Sequence, residues 1–269
     1  MLQHETVHWT IGAIEVIRVG DPGFELVLEQ DAATAAILKA TPWLCPDFVT
    51  DEQALRIGSS AIAVRTPSAT IVIDPFLAFD DPARLAPRVA ALRAAGIDQE
   101  DVDLVICSHI DGIGASVAAD GSPTFGRARY LVPAAELEDA RVGVHGEPAQ
   151  ALVALQDKGV VEAVDGTETV VPGVHLEDTP GHNRGHVAVW LDSGGSRAVV
   201  TGHLFLHPAQ LANPDIDNGD RDPVALAATR RRLLARCVAE DALLVAPLFA
   251  APGGGKVRAD GDSWRLVPV

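Results

Sequence analysis

The chain has 269 residues, of which 48% are hydrophobic, so it can bury a sizeable core. Asp and Glu total 37 against 21 for Lys and Arg, which gives a formal net charge of -16. A surface of this charge repels nucleic acid, so no nucleic-acid partner is expected. The length predicts one large domain that spans residues 1–269.

The cysteines and the start of the chain indicate the compartment. Cys45, Cys107 and Cys237 are widely spaced and form no CxxC pair, which fits neither a disulfide framework nor a thiolate zinc site. The segment MLQHETVHWT has no basic stretch followed by an apolar one, and no apolar run reaches the roughly 18 residues of a membrane span. We therefore expect a soluble cytoplasmic protein without a membrane partner.

The first half of the chain predicts strands around one helix. VHWTIGAIEVIRVG alternates around Gly12, SAIAVRTPSATIVID gives two short strands, and VDLVICS is a continuous apolar strand. Between the last two, DDPARLAPRVAALRAAG predicts a helix with Asp81 as its N-cap and Pro82 at its first position. Gly96 is the expected terminator, and Pro87 predicts a kink or a restart.

The second half repeats this alternation. ARYLV predicts a strand, AAELEDA and PAQALVALQDKG predict helices, and GVHLEDT, HVAVWLD and RAVVTG predict strands. A long helix over DPVALAATRRRLLARCVAED, a strand ALLVAP and a hairpin over KVRADGDSWRLVP follow. Two successive halves of this kind indicate two sheets packed on each other with helices outside. We predict an α+β fold with four layers, an αββα sandwich.

Three histidines follow strand-like runs at points where the chain turns. They are His109 after VDLVICS, His182 in DTPGHNRGH and His203 after RAVVTG. Loops at strand ends can bring side chains from several strands to one point. Because convergence of this kind builds metal sites, the pattern predicts one.

Several segments resemble the metallo-β-lactamase superfamily, most closely its lactonase and organophosphate-hydrolase-like branch. They are, in order, IDPF, VDLVICSH, TPGHNRGHVAVWL, AVVTGHLFLHPAQLANPD and PLFAAPGGGKVRADGDSWRLVP. The resemblance covers nearly the whole chain, and the pairing of TPGHNRGH with TGH is its most specific part. It implies a metallo-β-lactamase-like fold.

The metal motif of that family is degenerate here. Members usually carry T-H-x-H-x-D-H-x-G in a first loop, TPGH in a second, a bridging Asp in TGD, and a final His. His182 matches the TPGH ligand, His203 stands in place of the bridging Asp, and Leu248 stands in place of the final His. Leu248 offers no lone pair to a cation.

Two alignments of the first loop, SHIDGIG, remain open. Without a gap, His109 is the first His of the motif, Asp111 replaces the second, and Ile113 and Gly114 take the later ligand positions. With a two-residue deletion, Asp111 is the motif Asp and Gly112 replaces its His. In both alignments the second metal position loses ligands, which favours a mononuclear site.

The resemblance therefore implies one divalent metal on His109, His182 and His203, with Asp111 as a further ligand or as a general base. Zn²⁺ is the expected ion and Fe²⁺ is the alternative. Such an ion lowers the pKa of bound water towards roughly 7, so that the water attacks an ester, lactone or thioester carbonyl. His109 and Asp111 are the expected catalytic residues.

Two other functions remain open: a mononuclear non-haem iron oxygenase, and a metal-free member with a binding or non-hydrolytic catalytic role. Asp74 in IDPF is expected to hydrogen-bond to the His109 loop, and His186 is expected to cap or pack at a strand start. Arg184 and His207 could contact an anionic group of a small-molecule substrate or lie in solvent as loop residues. Because members of the family often pair, a homodimer is one expected state.

Overall fold

A computed structural model describes residues 6–269 except 23, 25, 78–83, 119, 145 and 218. The strands are, in chain order, Thr6–Ile11 (β1), Ile14–Gly20 (β2), Leu26–Leu28 (β3), Leu55–Ile57 (β4), Ser60–Arg65 (β5), Thr70–Ile73 (β6), Leu104–Ile106 (β7), Arg129–Pro133 (β8), Val161–Val164 (β9), Thr169–Val171 (β10), Val174–Asp178 (β11), Val187–Ser193 (β12), Ser196–Val200 (β13), Leu243–Val245 (β14), Gly254–Asp260 (β15) and Ser263–Val267 (β16). The helices are Ala32–Lys39 (α1), Leu85–Ala94 (α2), Ala134–Arg141 (α3), Gly146–Asp157 (α4), Ala209–Ala212 (α5) and Pro223–Ala239 (α6).

Within the described residues, most strands form two seven-stranded sheets. The first sheet has the order β1-β2-β5-β6-β7-β8-β9, and the second has the order β10-β11-β12-β13-β14-β15-β16. The first sheet takes its strands from residues 6–164 and the second from residues 169–267, as two successive parts of the chain. The strand predicted over ARYLV at the start of the second half is β8 and belongs to the first sheet, because it pairs with β7. Strands β3 and β4 form a separate antiparallel pair.

The alternation of side chains along each strand produces three apolar layers. On β5, Ile62 and Val64 face the core between the sheets, whereas Ala61 and Ala63 belong to the cluster beneath the helices. Val189 of β12 joins the central core from the second sheet. Because one face of each sheet is covered by its partner, the other face needs helices to keep it from water.

The helices supply these outer layers. Leu92 of α2, Leu137 of α3 and Leu152 of α4 pack in the cluster on the outer face of the first sheet. Leu233 and Leu234 of α6 pack in the cluster on the second sheet. The predicted four-layer αββα sandwich is therefore confirmed.

Local side chains mark the ends of two helices, and Gly96 ends α2 as predicted. The side chain of Asp222 caps α6 by accepting a hydrogen bond from Ala225 N at 3.0 Å, and Pro223 takes the first helical position. Gly96 follows α2 with φ +82°, and Pro87 lies in the first turn of that helix, where a missing N–H costs little. The helix thus begins beside Pro87. Asp81 and Pro82 lie outside the described residues.

The carboxyl ends of the central strands meet at one edge of the sandwich. β6 and β7 run parallel and lead into Asp74 and Ser108, while β13 leads into Thr201. At this edge the backbone N of Val187, at the start of β12, donates to the carbonyl of Ser108 at 2.9 Å. This bond joins the loops of the two sheets, so residues that are distant in sequence share one site.

None of the described helices combines the length and the apolar character that a membrane span requires.

The covering of the second sheet by α6 predicts unequal costs for truncations along this helix. Leu233 is fully buried, so Leu233→Ala is expected to lower the free energy of unfolding by about 2–5 kcal/mol through lost burial and a cavity. Val224 is 82% exposed, so Val224→Ala should change it by less than about 0.5 kcal/mol. Urea denaturation followed by tryptophan fluorescence measures both. Equal losses would show that α6 is not a covering layer.

Candidate metal centre

The structure brings the three predicted histidines together. The ring centroids of His109 and His203 are 4.1 Å apart, those of His109 and His182 are 4.9 Å apart, and those of His182 and His203 are 5.5 Å apart. His109 comes from residues 107–117 (the His109 loop), and His182 comes from residues 179–186 (the His182 loop). Each ring is carried by a different strand end, which is the convergence that the sequence predicted.

Asp111 is the fourth member of the group. Its Oδ2 lies 3.8 Å from Nε2 of His109, and one ligand atom from each of the four residues lies within 4.8 Å of the others. Zinc-to-nitrogen bonds are about 2.0–2.1 Å long, so two donors on one tetrahedral ion lie about 3.4 Å apart. Inward shifts of less than about 1 Å would therefore place all four donors on one cation.

A relay of hydrogen bonds orients His109. Ser108 Oγ donates to Asp74 Oδ2 at 2.6 Å, and the ring nitrogen Nδ1 of His109 lies 2.9 Å from the same hydroxyl. Because the hydroxyl proton goes to Asp74, Nδ1 of His109 must be the donor in the second bond. This arrangement leaves the lone pair of His109 on Nε2, the atom that lies near Asp111.

Asp74 holds the His109 loop as predicted, from a buried position directly after β6. In addition to the bond from Ser108 Oγ, its Oδ1 accepts a hydrogen bond from Ser108 N at 2.7 Å. Burial raises the pKa of Asp74 to about 6, against the opposing effect of these bonds. At neutral pH the group is therefore mainly a carboxylate and can accept both bonds.

Asp220 orients His182 in the same way. Nδ1 of His182 lies 2.7 Å from Asp220 Oδ1, so the ring donates there and keeps its lone pair on Nε2. That Nε2 atom is buried and has no hydrogen-bond partner among the described residues. A buried acceptor without a partner is costly in the folded protein, and a bound cation would satisfy it. The residues present thus fit a metal ion.

His186 is a buried histidine beside the group, but its nitrogens are used within the protein. Nδ1 lies 2.7 Å from Thr179 Oγ1, and Nε2 accepts a hydrogen bond from the backbone N of His203 at 3.1 Å. His186 therefore packs at the start of β12, as the sequence indicated, and also holds the turn that carries His203.

Burial disfavours the charged form of two histidines in this cluster. It lowers the pKa of His186 to about 3 and that of His203 well below its ordinary value, with smaller effects from neighbouring histidines. A neutral imidazole offers a lone pair to a metal, whereas an imidazolium does not.

Two glycines allow the loops to approach closely. Gly202, at φ +52°, lies so near Ser108 and His186 that a Cβ there would clash with both. A Cβ on Gly112 would clash with the carboxylate of Asp74. The His109 loop and the turn that carries His203 are therefore packed directly against the groups that orient the histidines.

The remaining predicted residues lie outside the four-donor group. The guanidinium of Arg184 pairs with Glu138 at 2.8 Å and with Asp139 at 3.2 Å, both on α3. Leu248 is buried and apolar, and it contributes its carbonyl to a hydrogen bond with Gly58 N at 2.7 Å. A metal contact of Leu248 through its side chain is not available.

His207 is held inside the fold. Its Nε2 donates to the carbonyl of Phe48 at 2.7 Å, and its Nδ1 accepts from Ala209 N at 3.0 Å. Both ring nitrogens are engaged, which leaves neither for a substrate. Asp220, in contrast, was not predicted, because it lies 38 residues from His182 in a segment with four Asp residues that the sequence does not distinguish.

Comparison with known proteins identifies the architecture. No family model and no curated protein matches the chain. AidC, a dizinc quorum-quenching lactonase solved with a product, matches with a TM-score of 0.82 and 17% identity over 98% of this chain and 97% of its own. The hydrolase AbOPH of the β-lactamase superfamily matches with a TM-score of 0.78 and 20% identity over 98% and 97%. The chain has the metallo-β-lactamase fold.

A third match, a probable metal-dependent hydrolase from Staphylococcus aureus, gives a TM-score of 0.74 and 17% identity over 97% of this chain and 99% of its own. The fold implied by the sequence resemblance is thus confirmed. AidC is a dizinc protein, whereas the described residues of this chain provide one group of four donors.

The burial of His207 predicts a dependence of stability on pH. Burial lowers its pKa to about 4 in the folded protein, against an ordinary 6.5 in the unfolded chain. The contribution of neutral His207 to the free energy of unfolding is therefore complete above pH 6.5 and is lost as the pH falls through about 4. At about 1.4 kcal/mol per pH unit, the total change is about 3 kcal/mol. In His207→Gln, the free energy of unfolding should depend less on pH between 6.5 and 4. Urea titrations at a series of pH values, with chelator present, measure it for both proteins. Parallel curves for both proteins would contradict this assignment.

Proposed function

We propose that this protein is a mononuclear metal-dependent hydrolase that cleaves a small ester, lactone or thioester. The observation that carries the proposal is the convergence of three imidazoles and one carboxylate, with His109 and His182 both oriented by hydrogen bonds on Nδ1. Such a donor set suits one cation and supplies too few ligands for two.

The expected ion is Zn²⁺, held by His109, His182 and His203. A divalent cation at this place would polarise a carbonyl and lower the pKa of water. Three neutral ligands leave most of the charge of such an ion available for this purpose. Asp74 and Asp220 keep the two imidazole lone pairs directed at the centre throughout the reaction.

Asp111 is assigned the role of general base. Its side chain is 39% exposed, whereas His109 beside it is fully buried, so Asp111 lies on the solvent side of the group. From this position Oδ2 can accept the proton of an attacking water molecule and pass it to bulk solvent.

The substrate class is supported by the chemistry of the site and by the structural matches. A dizinc lactonase and a hydrolase share this architecture over nearly the whole chain. Esters, lactones and thioesters each present one carbonyl to nucleophilic water, and one cation can polarise it. We therefore propose a small molecule of this class as the substrate.

Metal content is the first test of the proposal. Protein purified without chelator should contain close to one equivalent of divalent metal per chain by mass spectrometry. His182→Ala should lose most of it, because it removes one of three imidazole ligands. His175→Ala on β11 is the matched control and should retain it, since His175 bonds to Thr169 outside the group. Two equivalents, or none, in the wild-type protein would overturn the proposal.

Asp111→Asn tests the assignment of the base. The variant should retain its metal but lose about 10²–10⁴-fold in kcat on p-nitrophenyl acetate, γ-butyrolactone or an acyl thioester, whichever the wild type cleaves. Asp260→Asn, on the exposed end of β15, should retain full activity.

The same assay separates hydrolysis from oxygenation. Turnover by the zinc-loaded protein should be equal in air and under argon, because hydrolysis consumes water alone. Activity that requires Fe²⁺ and O₂ would favour the oxygenase instead.

A further inference from the structure

A buried carboxylate outside the metal-ligating group connects the two ligand loops. Glu136, in the first turn of α3, is fully buried. Its Oε2 accepts hydrogen bonds from Ile110 N at 3.0 Å and from Asn183 Nδ2 at 3.2 Å, and its Oε1 accepts one from Gly185 N at 2.9 Å. One side chain thus contacts both the His109 loop and the His182 loop.

These contacts lie directly beside the proposed metal ligands. Ile110 follows His109 in the chain, and Asn183 follows His182. All three partners of Glu136 are N–H groups, so its carboxylate acts only as an acceptor. Loss of the acceptor would leave buried donors unsatisfied in both loops, which costs more than the loss of an exposed contact.

The packing around Gly185 supports the same role. A Cβ at this position would lie 3.0 Å from Ala135 Cβ and 3.0 Å from Glu136 Cγ, so the His182 loop rests on the first turn of α3 without intervening space. Asp139 of α3, which is buried, also pairs with the half-exposed Arg184 of this loop. The helix therefore serves as a support to which the His182 loop is fixed.

We propose that Glu136 is a positioning residue that holds His109 and His182 at the separation one divalent cation requires. The inference rests on the proposed function, because it assigns a role within that metal centre. Donor atoms must lie within a few tenths of an ångström of their bonding positions for tight metal binding, so a shared anchor for two loops directly affects affinity.

Glu136→Gln tests this role with little change in shape. An amide offers one acceptor oxygen, so its NH₂ group must face the N–H of either Ile110 or Gly185, and one loop loses its bond. In chelator-treated protein, amide hydrogen exchange at Ile110 or Gly185 should become faster. The Kd for Zn²⁺, measured by competition with a chromogenic chelator, should rise about 10–100-fold. The absorption spectrum of bound Co²⁺ should change as well.

Glu138→Gln is the matched control on the same helix. The Glu138 side chain is 65% exposed and pairs with Arg184 at the surface. In this variant, hydrogen exchange at the amides of Ile110 and Gly185, the Kd for Zn²⁺ and the Co²⁺ spectrum should be the same as in the wild-type protein. If Glu136 only stabilised the fold, Glu136→Gln would lower the free energy of unfolding but leave the Kd for Zn²⁺ and the Co²⁺ spectrum of the folded protein unchanged. That result would overturn the proposal.

Asn183→Ala provides a milder test if Glu136→Gln does not fold. It removes one of the three hydrogen bonds and should raise the Kd for Zn²⁺ severalfold, whereas an unchanged Kd would overturn the positioning role. A wild-type protein that binds no Zn²⁺ would overturn the proposed function together with this role. Wild-type binding that Glu136→Gln leaves intact would overturn the positioning role alone.

Discussion

The hydrogen bonds on Nδ1 of His109 and His182 are the interactions on which the site depends. A histidine ring has one lone pair in its neutral form, and the hydrogen bond on one nitrogen decides that the other carries it. Asp74, through Ser108, and Asp220 make this choice for two rings at once. Without these partners the same side chains would be free to direct N–H groups at each other. The group is therefore arranged as a set of acceptors, which only a cation or a donor can satisfy.

The fold lowers the conformational entropy cost of this arrangement, because the loops start from rigid strands. β6, β7 and β13 end at the same edge, and Val187 N bonds to the Ser108 carbonyl across the two sheets. Burial also lowers the pKa of His203, since the low polarity of the interior disfavours its charged form. Asp111 is the most exposed member of the group, with 39% of its side chain exposed against 23% for His182.

The sequence predicted the layers and the three imidazoles for physical reasons. Alternating apolar residues such as Ile62 and Val64 mark the faces of the strands, and a histidine directly after a buried strand marks a strand end. Asp220 and Glu136 were not predicted, because acidic residues in loops and in first helical turns are common and neither carries a local signal. Their roles depend on contacts over 38 and 26 residues of chain, which only the folded arrangement defines. The short β3–β4 pair was missed because three-residue strands give too little periodicity.

The number of cations at this centre is tested most directly by anomalous X-ray scattering at the zinc edge from crystals of the zinc-loaded protein. One peak is expected, at about 2.0–2.1 Å from a ring nitrogen of each of His109, His182 and His203. Two peaks about 3.5–4 Å apart, or no peak within bonding distance of these rings, would contradict a single metal centre built from them.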